Sequence, residues 1–163
     1  MEESLYNIQE ISSYREGNRL EAKKAKGGIP NSMWETYSSF ANTDGGIILL
    51  GVDEKKDGSF EVSGVQNADQ MLKDFWNMVN NRQKINVNLL VEKDVTVEDY
   101  EGKKVISIRV PRADRYLRPV YVGQDPMSGA YRRNGEGDYH CSHEEVSAMY
   151  RDAYQLTQDR KLL

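Results

Sequence analysis

Residues 44–53 read DGGIILLGVD, and this stretch decides what kind of sheet the chain can form. The run at residues 47–52 contains no polar position, which is typical of a strand that is covered on both faces. Gly45 and Gly46 precede it, and a glycine pair there is typical of a helix end followed by a close approach to the strand. Asp53 follows the run, so we expect it at the carboxyl end of the most buried strand.

Helical and extended patterns alternate on both sides of this run. Ser32 and Ser142 are each followed three residues later by a glutamate, a capping-box pattern that predicts a helix at each place. Residues 19–25 alternate between apolar and charged, which predicts a strand with Glu21 on its solvent-facing side. Residues 60–65, 85–97, 105–110 and 130–133 predict further strands. The predicted fold class is α+β, with a mixed, largely antiparallel sheet and flanking helices.

Length and composition favour a single soluble domain. The chain has 163 residues, so residues 1–163 are interpreted as one domain. It lacks an apolar run of the ~20 residues that a membrane helix needs, and Glu2 and Glu3 stand where a signal peptide carries basic residues. The single cysteine, Cys141, is compatible with a reducing compartment. We therefore expect a cytoplasmic protein with no membrane partner.

Positive charge is concentrated in one part of an acidic chain. The formal net charge is −4, which argues against binding to nucleic acid by bulk charge. Residues 103–133, however, contain eight basic and two acidic side chains, a net charge of +6. A local basic surface on an acidic body is able to contact phosphates.

The basic stretch supplies candidate phosphate ligands. Arginines spaced three apart in an extended loop are able to reach different phosphates, and tyrosine rings offer faces on which bases stack. The alternative is a solvated loop paired with acidic helices. The candidate nucleic-acid-binding residues are Lys23, Arg112, Arg115, Arg118, Tyr121, Arg132 and Arg133.

Three carboxylates form a second candidate site. Glu16, Glu21 and Asp53 converge if the chain turns at Gly17-Asn18, and hard oxygen ligands of this kind suit Mg²⁺ or Mn²⁺. The alternative is that all three are ordinary surface acids. A phosphate-binding loop of the common ATPases is not indicated, since no Lys-Ser/Thr pair follows the glycines.

Five short motifs together resemble a known family. They are Glu16 with RLEAK at residues 19–23, FANTDGG at 40–46, LGVD at 50–53, RPVY at 118–121 and YRR at 131–133. Residues 14–152 are similar to the Schlafen-type AlbA-like domain, which is found in bacterial transcriptional regulators and is also catalogued as a divergent AAA-type ATPase domain.

The resemblance implies a nucleic-acid partner, DNA or RNA, and first of all a DNA-binding module of a transcriptional regulator. A related vertebrate domain is an endoribonuclease, which implies a Mg- or Mn-dependent alternative. Its catalytic and metal-binding carboxylates would fall on Glu16, Glu21 and Asp53, and a doubled cradle would require a homodimer. A second alternative, from the ATPase label, is a nucleotide-binding regulatory domain.

Overall fold

The computed structural model describes the backbone of residues 7–162 and the side chains of residues 7–155. The strands are β1 (Leu20–Lys23), β2 (Gly46–Leu50), β3 (Val52–Glu54), β4 (Phe60–Val62), β5 (Val95–Tyr100), β6 (Lys103–Val110), β7 (Tyr131–Asn134) and β8 (Gly137–His140). The α-helices are α1 (Ser32–Asn42), α2 (Ala68–Val79), α3 (Pro126–Gly129) and α4 (His143–Leu162). Short 3-10 helices span Ile8–Ser13, Glu92–Asp94 and Arg115–Leu117.

Four strands form the central sheet, in the order β1-β2-β6-β5. β1 runs parallel to β2, whereas β6 is antiparallel to both of its neighbours, β2 and β5. β3 pairs with β4, and β7 with β8, as separate antiparallel hairpins. The predicted mixed, largely antiparallel sheet with flanking helices is therefore confirmed, and the fold class is α+β.

Both faces of β2 are covered, and all five of its residues are buried. Ile48 and Leu50 pack in the larger core cluster, which also contains side chains of α1 and α2. Ile47 and Leu49 pack in a second cluster, together with the 3-10 helix Ile8–Ser13 and the β3–β4 hairpin. Successive side chains of a strand point to opposite faces, so two covered faces require an uninterrupted apolar run.

The glycine pair between α1 and β2 is needed for close packing. Gly45 has a φ of +74°, and a Cβ there would come within 2.9 Å of the Val110 carbonyl oxygen. A Cβ on Gly46 would lie 2.8 Å from the Phe40 ring. A side chain on Gly45 would therefore clash with the backbone at the end of β6, and a side chain on Gly46 would clash with Phe40 of α1.

Asn42, the last residue of α1, joins two later parts of the chain to the helix. Its Oδ1 accepts the Val120 N–H at 2.8 Å, and its Nδ2 donates to the carbonyls of Val120 at 2.8 Å and Tyr131 at 2.9 Å. The next residue, Thr43, accepts the Arg133 N–H at 2.9 Å through Oγ1. The FANTDGG motif thus fixes β7 and the segment before it.

The two capping-box predictions have different outcomes. At the start of α4, Glu145 N–H donates to Ser142 Oγ at 3.0 Å, and Ser142 N–H donates to Glu145 Oε1 at 2.8 Å, as predicted. α1 begins at Ser32 as predicted, but its capping box is wrong, because Asn31 takes the cap position with helical dihedrals and no side-chain cap bond.

The predicted strand over residues 85–97 is wrong before Val95, where β5 begins. Tyr37 replaces the strand ladder: its hydroxyl donates to the Val87 carbonyl at 3.0 Å and accepts the Leu89 N–H at 2.9 Å. Side-chain bonds of this kind satisfy the backbone without a neighbouring strand. Within the described residues, no helix is both long and apolar enough to cross a membrane.

Candidate nucleic-acid interface and acidic cluster

Glu21 is buried, and the prediction that it faces solvent is wrong. β1 alternates as predicted, with Leu20 and Ala22 packed toward the β3–β4 side of the core. Its other side is covered by α1 and by the β7–β8 hairpin, which leaves Glu21 only 7% exposed. The alternation along β1 indicates which residues share a face. It does not indicate that the β7–β8 hairpin, which comes much later in the chain, covers the face with Glu21.

Arg133 fills the space beside Glu21, and its side chain has no exposed surface. Nη1 donates to Glu21 Oε1 at 2.9 Å and to Asp138 Oδ1 at 2.8 Å. Nη2 and Nε donate to the Gly17 carbonyl at 2.8 and 3.1 Å, and the guanidinium lies 5.0 Å from the centre of the Phe40 ring. The prediction that Arg133 holds a phosphate is therefore corrected, because a fully buried guanidinium cannot reach one.

Two further side chains complete this buried network. Asp138, on β8, accepts hydrogen bonds from the hydroxyls of Thr36 and Ser39 on α1. Lys23 Nζ lies 3.7 Å from Glu21 Oε2 and 3.3 Å from Ser32 Oγ, and the Lys23 side chain is 16% exposed. Buried charges are tolerated when each is paired and hydrogen-bonded. Lys23 is thus mainly a partner of Glu21, and little of it is available to a phosphate.

Glu16 lies next to the network because the chain turns between Gly17 and Leu20, which form a bridge. The Glu16 Oε2 atom accepts the Ala22 N–H at 2.9 Å. Burial, together with a hydrogen bond to the adjacent Glu21 carboxylate and repulsion from it, raises the pKa of Glu16 from 4.5 to about 9. The structure therefore brings Glu16 and Glu21 together, as the turn at Gly17-Asn18 predicts.

Glu16 also forms an acidic cluster with Glu54 and Glu136. One carboxylate oxygen from each of the three lies within 4.8 Å of the others. Glu54 ends β3, and Glu136 sits in the turn between β7 and β8. Three oxygen ligands at this spacing suit a hard divalent cation such as Mg²⁺ or Mn²⁺. The sequence reasoning missed Glu54 and Glu136.

Asp53 stands outside the acidic cluster. Its carboxylate lies 3.7 Å from Lys24 Nζ, and its side chain is 46% exposed. Adjacent residues of a strand point to opposite sides, so only one of Asp53 and Glu54 is able to face Glu16. The structure puts Glu54 there. The alternation along β3 indicates that only one of the two residues faces Glu16, but it does not indicate which one.

The predicted arginines form a cluster on the loop at residues 112–118, named here the arginine loop. Arg112 and Arg115 are exposed, and Arg118 is half-buried. Burial lowers the pKa of Arg118, and the charges of Arg112 and Arg115 lower it further. Like charges held this close create a local positive potential that attracts anions.

An open cleft of about 640 Å³ lies beside the arginine loop and is named here the edge cleft. The cleft lies at one end of the central sheet, where β1, β2 and β5 begin and β6 ends. The order and directions of the strands bring these four strand ends together. The cleft's charged lining residues are Arg19, Lys93, Arg109, Arg112, Asp44 and Asp94. Four cations against two anions give the cleft a positive character, and only Arg112 was predicted as a ligand.

The two remaining candidates lie on the surface near the hairpin. Arg132 is 41% exposed on its side chain, and its Nε lies 3.3 Å from Glu145 Oε2. Its guanidinium also lies 5.7 Å from the centre of the Tyr139 ring. Tyr121 is half-buried and lines a groove together with Arg118.

The fold and surface define an α+β domain with one basic face and a separate acidic cluster. The chain belongs to the Schlafen AlbA_2 family, because the family's model matches residues 16–142. Membership of this family indicates a nucleic-acid-binding module. No curated protein matches the chain.

Two solved structures share the fold. The first is the solution NMR structure of the N-terminal domain of a Nitrosomonas europaea protein described as related to the ATP-dependent DNA helicase RecG. It is 32% identical, with a TM-score of 0.60, over 82% of this chain and 90% of that one. The second is the crystal structure of the DIP2311 protein from Corynebacterium diphtheriae, with 19% identity and a TM-score of 0.55. That alignment covers 82% of this chain and 24% of the longer protein, and it shows the fold alone.

Proposed function

We propose that the chain binds nucleic acid through a continuous basic surface formed by the arginine loop and the edge cleft. The observation that carries this proposal is the position of Arg112. It lines the edge cleft, and its charge also acts on Arg118 in the loop. The family and the likeness to a domain of a DNA-helicase-related protein support the same function.

A salt titration tests this surface. The logarithm of the affinity should fall linearly with the logarithm of the salt concentration, and Arg112→Ala together with Arg115→Ala should reduce the slope by about one unit for each lost phosphate contact. The control variant is Lys55→Ala with Lys104→Ala, which removes two cations already paired with Glu61 and Asp99. It changes the net charge equally, so it should leave the slope unchanged.

Two results would refute the proposal. One is the absence of measurable binding to DNA or RNA at low salt. The other is an equal loss of slope in the arginine pair and the lysine control, since that would reduce the interaction to net charge.

We further propose that the nucleic acid is DNA and that the domain is the DNA-binding module of a transcriptional regulator. Such a role needs a preference among sequences, so selection from a random duplex library should enrich a common motif. Enrichment of no motif, or tighter binding to RNA than to DNA of the same sequence, would exclude it.

A second candidate function is a metal-dependent endoribonuclease, and the acidic cluster of Glu16, Glu54 and Glu136 favours it. These residues would hold Mg²⁺ or Mn²⁺, which polarises a phosphate and activates water when bound. The donors fit such a cation, because the pKa of Glu16 is raised by burial and by Glu21 and Glu54, and a positive charge relieves that repulsion. Glu21 is already paired with Arg133 and is a neighbour rather than a free ligand.

Thermal unfolding with Mn²⁺ tests this candidate before any substrate is known. A hundredfold excess over the dissociation constant stabilises the folded state by about 2.7 kcal/mol. Glu16→Gln and Glu54→Gln should abolish most of that shift, whereas the neighbouring Asp53→Asn should retain it. A shift that is absent from the unaltered protein, or that survives in Glu54→Gln, removes the basis of the nuclease. The endoribonuclease function would also require a homodimer, and analytical ultracentrifugation with RNA present would measure the oligomeric state.

A further inference from the structure

A groove of about 400 Å³ lies between the arginine loop and α4, and it is named here the tyrosine groove. Its lining includes Arg82, Tyr116, Arg118, Tyr121 and Tyr150. Its volume is at the small end of the range of about 300–1,000 Å³ that is typical of small-ligand sites. The tyrosine groove therefore has room for a compact group rather than for a folded partner.

Three tyrosine side chains line this groove. Tyr116 belongs to the 3-10 helix of the arginine loop, Tyr121 follows that loop, and Tyr150 lies on α4. Tyr116 is 41% exposed and Tyr150 is 43% exposed. Burial, followed by the proximity of Tyr121 and Asp125, raises the pKa of Tyr150. The rings thus share one partly open site, with surface left for a planar ligand.

Side-chain hydrogen bonds hold the backbone from Pro119 to Tyr121 in place. Asn86 accepts the Tyr121 N–H at 2.7 Å through Oδ1 and donates to the Pro119 carbonyl at 3.2 Å through Nδ2. Asn42 clamps the intervening Val120 in the same two-bond manner, and Val120 is fully buried. A ligand stacked on Tyr121 would meet a surface that is already ordered, which lowers the entropic cost of binding.

Arg118 links the tyrosine groove to the basic surface. Arg118 lines the groove, and it lies close enough to Arg112 and Arg115 for their charges to lower its pKa. Its Nε is buried and has no hydrogen-bond partner within the described part of the chain. Asp114 and Asp152 lie close enough to Arg118 to offset part of its charge.

We infer that the tyrosine groove binds an unpaired nucleotide, with its base stacked on the tyrosines and its phosphate on Arg118. This inference rests on the proposed nucleic-acid binding and adds a preference for single-stranded segments. Aromatic faces beside arginines match the two parts of a nucleotide, the base and the phosphate. A base inside a duplex presents its faces only to neighbouring base pairs, so a duplex cannot fill the groove without opening.

The test compares a fluorescein-labelled oligothymidylate with an abasic oligomer of the same length and backbone, using the full chain. Stacking contributes a factor of about five to 150 in affinity for each base, from about 1–3 kcal/mol. Oligothymidylate should therefore bind more tightly than the abasic oligomer by at least the lower factor. A duplex containing the same strand should bind more weakly than the strand alone.

Variants then assign the difference to the groove. Tyr116→Leu and Tyr150→Leu should reduce the preference for bases without changing the affinity for the abasic oligomer, and the corresponding phenylalanine variants should keep the preference. Tyr154→Leu is the matched control, since Tyr154 lies on the same helix, is 64% exposed and is not among the groove residues. Equal affinities for the two oligomers in the unaltered protein would overturn the inference while leaving phosphate binding intact. Binding of neither oligomer nor duplex would instead overturn the proposed function itself.

Discussion

Arg133→Met should destabilise the protein strongly, because it removes the cation from a buried network. Removing one member of a buried ion pair costs about 3–5 kcal/mol. Asp138 keeps two hydroxyl donors on α1, and Glu21 keeps Lys23 at 3.7 Å. We therefore expect a loss near the lower limit, about 3 kcal/mol.

Urea denaturation measures this loss. With a slope of about 2 kcal/mol per molar urea, the midpoint should fall by about 1.5 M. Arg132→Met is the control, because the neighbouring arginine forms a half-exposed pair with Glu145, and such pairs contribute about 1 kcal/mol or less. Replacing Glu21 as well, in Arg133→Met with Glu21→Leu, should recover part of the loss, since the network then holds one anion, Asp138, and one cation, Lys23, with no excess anion.

Either of two results would refute this view of Arg133. A loss below about 1 kcal/mol would mean that the guanidinium is not a required partner of Glu21. Additive losses in the double variant would mean that the two side chains are not coupled. The folded Arg133→Met protein should also keep the salt dependence of nucleic-acid binding, and a slope reduced by a full unit would restore Arg133 as a phosphate ligand.

Two further predictions concern stability. Leu49→Ala should lower the free energy of unfolding, measured by urea denaturation, by about 2–5 kcal/mol, because Leu49 is fully buried in β2 and the change leaves a cavity. A loss below about 0.5 kcal/mol would contradict its burial on a covered face. Glu16 has a pKa raised above its ordinary value, so its contribution to stability is complete below pH 4.5 and is lost as the pH rises toward about 9. Glu16→Gln should therefore flatten the fall of the urea midpoint between these pH values, and an unchanged profile would contradict the raised pKa.

The parts of the fold that could be predicted are those whose signal is local. An apolar run without interruption indicates a strand covered on both faces, and β2 has five buried residues. Residues 85–94 look extended, but Tyr37 satisfies part of their backbone from a different element. The Tyr37 hydroxyl lies about 50 positions away in the sequence, so the pattern of residues 85–94 cannot indicate its hydrogen bonds.

The candidate site was predicted in part for the same reason. The exposed arginines were found because charge and spacing are visible along the chain. The pairing of Glu21 with Arg133 spans 112 positions, so a single sequence carries no signal that the two side chains meet. The choice between Asp53 and Glu54 depends on which side of β3 faces Glu16, and the sequence gives only the alternation.

The distribution of charge in the structure separates the part that shapes the domain from the part that meets a ligand. Arg133 has no exposed surface and joins β1, α1 and the β7–β8 hairpin. That hairpin carries Glu136 into the acidic cluster, so Arg133 helps to hold in place the turn on which Glu136 lies. Arg112 and Arg115 are exposed, so changes to them should alter binding and leave the fold intact. The YRR motif therefore combines one half-exposed arginine, Arg132, with one that is structural, and the motif alone does not say which residue has which role.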